Sequence, residues 1–122
     1  MLPPIFNLVS ADAACSAVLG AGAACRIYPF GEAPPDVARP YATWYVVTGS
    51  AHNTLADAPP ADAMTVQVDC WADTLASAKA TGIAVRDALE RMGSVAGYNP
   101  NDRDPETGRY RISFDIEFQL LR

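Results

Sequence analysis

The stretch YRISFDIEFQL at positions 110–120 decides the fold of this chain. Apolar residues occupy every even position and polar residues every odd one. This period of two is that of a β-strand with one apolar and one polar face. The apolar side chains are Tyr110, Ile112, Phe114, Ile116, Phe118 and Leu120, and the polar ones are Arg111, Ser113, Asp115, Glu117 and Gln119. The strand's length favours an antiparallel sheet, and its apolar face requires helices packed against it.

Three other segments complete the predicted sheet. Residues 41–48, YATWYVVT, are rich in aromatic and β-branched side chains and predict a strand with both faces largely covered. Residues 64–71 alternate apolar and polar side chains and predict a half-buried strand. A brief strand is expected at residues 26–28, before Pro29. Together with the strand at 110–120 this makes a sheet of about four strands.

One long helix is predicted between the last two long strands. Asp73 is its expected N-cap, Gly93 its expected end, and one side carries apolar or small residues at spacings of three and four. These residues are Leu75, Ala78, Gly82, Val85, Leu89 and Met92. Because Ala78 and Gly82 are small, we expect another element to approach the helix backbone closely there. The remaining face is predicted to be solvated, with Ser77, Lys79, Arg86, Asp87, Glu90 and Arg91 on it.

Two shorter helical segments are predicted before residue 26. Pro3 and Pro4 suit a first helical turn, after which Ile5, Leu8 and Val9 share one face. A break follows near Ser10, the expected N-cap of the next helix, which has Asp12 in its first turn. Ala13, Ala14, Ala17 and Val18 share one side of this helix, which is expected to end at Gly20 and Gly22.

The composition indicates one folded unit. The chain has 122 residues, of which 50% are hydrophobic and 19% charged, a balance that can bury a core. We therefore predict a single α+β domain over residues 1–122, a mostly antiparallel sheet flanked by helices. Three proline- or turn-rich stretches, 31–40, 49–63 and 98–108, are predicted to be irregular loops.

The net charge argues against nucleic-acid binding, and the small-residue run at 13–25 does not suit a signal peptide or a membrane span. A net charge of -5 does not suit a protein that grips a phosphate backbone. No basic segment precedes the run at 13–25, which is too short to span a bilayer. We expect neither export by a signal peptide nor insertion in a membrane.

The residues that carry chemistry form no catalytic set. Cys15, Cys25 and Cys70 lack the paired spacing of a zinc site, and we expect reduced thiols, with a Cys15–Cys25 disulfide as the less favoured alternative. The single histidine, His52, is expected to be an exposed loop residue. Gly20 and Gly22 match no phosphate-binding motif.

Acidic residues in two places have a simpler explanation than catalysis or metal binding. The cluster Asn99, Asn101, Asp102, Asp104 and Glu106 has oxygens suited to calcium but lacks the spacing of a calcium loop. Turn formation accounts for it. Asp115 and Glu117 alternate on the polar face of a strand, where a solvated or interface role is expected. We predict no catalytic, cofactor-binding or metal-binding residues.

An ordered set of segments resembles the tail completion protein family of tailed phages and prophages. The segments are RIYP at 26–29, GEAPPDVARPY at 31–41, VQVDCWA at 66–72, AVRDALE at 84–90 and ETGRYRISFDIEF at 106–118. The resemblance runs from about Arg26 to the end, with a weaker helical match before it.

The resemblance implies a structural tail terminator without catalytic residues. Such a protein forms a homo-hexameric ring on the finished tail tube, stops polymerisation and joins the tail to the head–neck connector. It implies assembly in the host cytoplasm and a place in the virion at the tail–neck junction, with DNA passing through the lumen without specific binding. The alternatives are another head-to-tail connector and, less favoured, a small cytosolic ligand-binding α+β domain. Loops 49–63 and 98–108 are the candidate contact regions.

Overall fold

A six-stranded sheet organises the structure, a computed structural model that describes residues 4–48, 61–98, 102–103 and 108–121. Its strands are β1 (Ile27–Pro29), β2 (Tyr41–Thr48), β3 (Ala61–Ala72), β4 (Gly93–Tyr98), β5 (Asp102–Arg103) and β6 (Tyr110–Leu121). Their order is β1-β2-β3-β6-β4, and β5 pairs with β6 outside this path. The β1–β2 pair is parallel and the others are antiparallel. The predicted α+β class with a mostly antiparallel sheet is confirmed.

The predicted long strand, β6, pairs with β3 on one side and with β4 and β5 on the other. β6 pairs with β3 from Ala61 opposite Leu121 to Ala72 opposite Tyr110. The inner face of these strands, which the helices cover, includes Val66, Val68, Phe114, Ile116 and Phe118, all fully buried. The period-two pattern therefore identified the core-facing side chains correctly.

Two strands, β4 and β5, were missed, and the stretch 98–108 that was predicted to be a loop contains Tyr98 of β4 and all of β5. β4 has the sequence GSVAGY, with two glycines and no alternation, so nothing local predicts it. It forms because β6 offers a free edge, with Gly93 opposite Phe118. A Cβ on Gly93 would lie 2.8 Å from the carbonyl oxygen of Glu117, so this close approach requires glycine. β5 adds a second short pairing to β6.

The irregular stretches are only partly described. Residues 31–40 contain turns and bends, as predicted. Residues 61–63 were predicted to be loop but belong to β3, because β6 extends far enough to pair with them. Residues 49–60 lie outside the described part of the chain, as do 99–101 and 104–107.

The long helix, α3 (Leu75–Leu89), covers the inner face of the sheet. Its N-cap is Thr74 and not Asp73, since the Thr74 hydroxyl oxygen accepts the N–H of Ser77 at 3.1 Å. Asp73 instead pairs with Arg39. Gly93 does not end the helix, because the chain turns after Leu89 and Gly93 begins β4.

The predicted apolar side of α3 is confirmed except at its C-terminal end. Ala78, Gly82, Val85 and Leu89 are buried. A Cβ built on Gly82 would lie 3.2 Å from Cγ2 of Ile112, which is the close approach that the small residues predicted. Met92 was placed on this side but lies beyond the helix and is exposed.

Two short helices, α1 (Ile5–Ser10) and α2 (Ala13–Leu19), precede the sheet, and the break near Ser10 is confirmed. The N-cap of α2 is Asp12 and not Ser10. The buried residues of α2 are Cys15 and Leu19, whereas Ala13, Ala14 and Ala17 are exposed. The helix ends at Gly20, as predicted, with a φ of 99° that favours glycine.

Asp12 connects α2 to the end of α3. Its carboxylate accepts the backbone N–H of Cys15 at 3.0 Å and Nη2 of Arg91 at 2.6 Å. The Cys15 hydrogen bond, together with the nearby Arg91 guanidinium, outweighs desolvation and holds the pKa of the Asp12 carboxyl below its usual value. The charged carboxylate is thus the form that stabilises this junction.

Replacing Asp12 by alanine is expected to lower the free energy of unfolding by about 1–2 kcal/mol at pH 7. Because the folded-state pKa is lowered, the charge-dependent stabilisation is present above the unfolded-state pKa and is lost as the pH falls through the folded value. Urea unfolding between pH 7 and pH 2 measures this.

Asp12→Asn is the matched control, because asparagine also caps helices but cannot carry the charge. It should lose less stability than the alanine variant at pH 7 and approach the wild type as the pH falls. A gap between wild type and Asp12→Asn that stays constant over this pH range would contradict the electrostatic part of the explanation.

Candidate assembly surfaces

The three cysteines are not placed for catalysis. All are buried and none is in a disulfide, so the alternative Cys15–Cys25 pairing does not form. Burial raises the pKa of all three thiols, that of Cys15 to about 12. The Cys15 thiol also donates a hydrogen bond to the carbonyl oxygen of Ala84, with the sulfur and oxygen 3.2 Å apart. These thiols are protonated at neutral pH and are therefore poor nucleophiles.

The other residues considered for chemistry are not brought together by the described structure. His52 lies outside the described residues, as do Asn99, Asn101, Asp104 and Glu106 of the acidic cluster. Within the described ranges no group of three or more metal-ligating side chains forms. Among the helices of those same ranges, none is long and apolar enough to cross a membrane.

The sheet face opposite the helices carries the polar side chains of the predicted alternation. We call it the outer sheet face. Cross-strand rows run over β2, β3 and β6, and three of them are Tyr41–Trp71–Arg111, Thr43–Asp69–Ser113 and Tyr45–Gln67–Asp115. Glu117 lies opposite Thr65 in the adjoining row. Asp115 and Glu117, which the sequence placed on the polar face, are both here.

One end of the outer sheet face is aromatic. The rings of Tyr41 and Trp71 stack with centroids 6.3 Å apart and an interplanar angle of 13°. The Arg111 guanidinium lies 5.6 Å from the centroid of the Trp71 ring, a cation–π distance. These contacts hold the three side chains against one another across three strands.

The centre of the outer sheet face is acidic and is shielded from water. Asp69 is 6% exposed and Ser113 2% exposed, although both belong to the polar side of the alternation. Nε2 of Gln67 donates to Oδ1 of Asp69 at 3.1 Å. Oδ1 of Asp115 is buried and accepts no hydrogen bond from the described residues. A buried carboxylate oxygen without a donor is unfavourable.

An exposed aromatic residue lies at the margin of this face. Phe30 follows β1 and its backbone N–H bonds to the carbonyl of Trp44 at 2.8 Å. Its ring centroid lies 5.4 Å from that of Tyr45, yet the residue is 72% exposed. The outer sheet face therefore combines an apolar margin with an acidic centre.

The second surface of interest is the side of α3 that points away from the sheet. It was predicted to be polar and solvated, but Ile83 on this side is 51% exposed. Ala76, Lys79 and Ala80 are exposed near it at helical spacings. We call Ala76, Lys79, Ala80 and Ile83 the outer α3 stripe. The predicted polar face did not include Ile83 because its helical neighbours Lys79, Arg86 and Asp87 are charged.

Both surfaces carry side chains suited to protein contacts. The outer sheet face has aromatic rings at one end and at its margin, and the outer α3 stripe has an exposed isoleucine. Exposed apolar residues bordered by polar ones are typical of surfaces that another protein covers.

Comparison with known proteins agrees with this description. Residues 3–120 match the family described as tail completion protein gp17. The chain belongs to this family. The match covers nearly the whole described structure, including α1 and α2, so it extends beyond the segments that carry the resemblance in the sequence. As a tail completion protein, this chain has a structural role in completing a phage tail.

A solved structure shares the fold of this tail completion protein. It is a chain of the virion of a native gene transfer agent particle, 18% identical, with a TM-score of 0.63. The similarity covers 97% of this chain and 92% of the other. Among curated proteins there is no significant match.

Proposed function

We propose that this chain forms a homo-hexameric ring that caps the finished tail tube, stops its polymerisation and presents the surface that joins the tail to the head–neck connector. The observation that carries the proposal is the family match over residues 3–120. The ring would assemble in the host cytoplasm and remain in the virion at the tail–neck junction. The chain is not an enzyme in this proposal.

The surfaces described above support a ring. A ring of identical subunits joined head to tail uses two different surfaces on each subunit. The outer sheet face and the outer α3 stripe are two such surfaces, since α3 packs on the inner face of the same sheet. Loops 49–63 and 98–108 remain candidates for contacts with the tube and connector, and most of their residues lie outside the described part of the chain.

The charge suits a conduit through which DNA passes without being held. With a net charge of -5, the subunit repels phosphates more than it pairs with them. We propose that acidic side chains outnumber arginines on the wall of the lumen. The tail tube protein and the head–neck connector are the other partners, and no membrane is involved.

Deleting the gene from its parent phage or prophage is expected to give overlong or ragged tails beside unattached, DNA-filled heads. The physical reason is that tube subunits continue to add when the growing end is not covered. Negative-stain electron microscopy of the lysate measures tail length and the fraction of joined particles. Expression of the intact gene from a plasmid, as the control, should restore both.

Two other outcomes would change the proposal. Tails of normal length that fail to join would mean that the chain is a connector and does not terminate the tube. Intact virions in normal numbers would mean that neither role is correct.

A further inference from the structure

We draw no further inference here: the strongest candidate, the exposed Phe30 ring against Tyr45 at the margin of the outer sheet face, beside the part of β2 that lies beyond its pairing with β1, carries nothing because nothing in the described part of the chain shows what covers it.

Discussion

The variant Phe114→Ala is expected to lose about 3–5 kcal/mol of unfolding free energy. Phe114 is fully buried on β6, opposite Val68 of β3 and Tyr98 of β4. Removing its ring leaves a cavity where three strands and α3 meet, and small domains have only about 5–15 kcal/mol to lose. Urea unfolding followed by circular dichroism measures the change in midpoint.

Phe30→Ala is the matched control, because it removes the same side chain from a position that is 72% exposed. It should change stability by about 0.5 kcal/mol or less. A loss below about 1 kcal/mol for Phe114→Ala would show that the core is not centred on β6.

The variant Gly82→Leu is expected to lose about 1–3 kcal/mol. The Cβ of any residue at this position would already lie 3.2 Å from Cγ2 of Ile112. A leucine needs more room than β6 can give, so α3 must move away from the sheet and open the core at Val85 and Ala78. Thermal unfolding should show a lower midpoint and reduced cooperativity.

Ala80→Leu adds a leucine to the exposed side of the same helix and serves as the control. Its thermal midpoint should stay close to that of the wild type. If Gly82→Leu is as stable as Ala80→Leu, then the close approach between α3 and β6 does not limit the residue at position 82.

Local pattern was sufficient for β2, β3, β6 and α3. Each has a period or composition that admits one structure: alternation at 64–71 and 110–120, aromatic and β-branched residues at 41–48, and the spacing of Ala78, Gly82, Val85 and Leu89. The hydrophobic period of such an element differs between a helix and a strand, so the local sequence is enough to identify its secondary structure. The same reasoning correctly gave the α+β class.

Tertiary contacts decided the elements that local pattern did not predict. β4 is a strand because the edge of β6 satisfies its backbone, and residues 61–63 are a strand because β6 continues past residue 118. Asp12 caps α2 in place of Ser10, and its carboxylate also meets Arg91, which is distant in sequence.

The candidate surfaces were predictable in one part and not in another. The alternation placed Asp115 and Glu117 together on one face of β6, because a strand's side chains point to alternate sides whatever its neighbours are. It did not reveal that Oδ1 of Asp115 is buried without a donor among the described residues, that Phe30 comes to the margin of that face, or that Ile83 is half exposed. Those features depend on which strands lie side by side and on how α3 is rotated against them, and distant parts of the chain settle both.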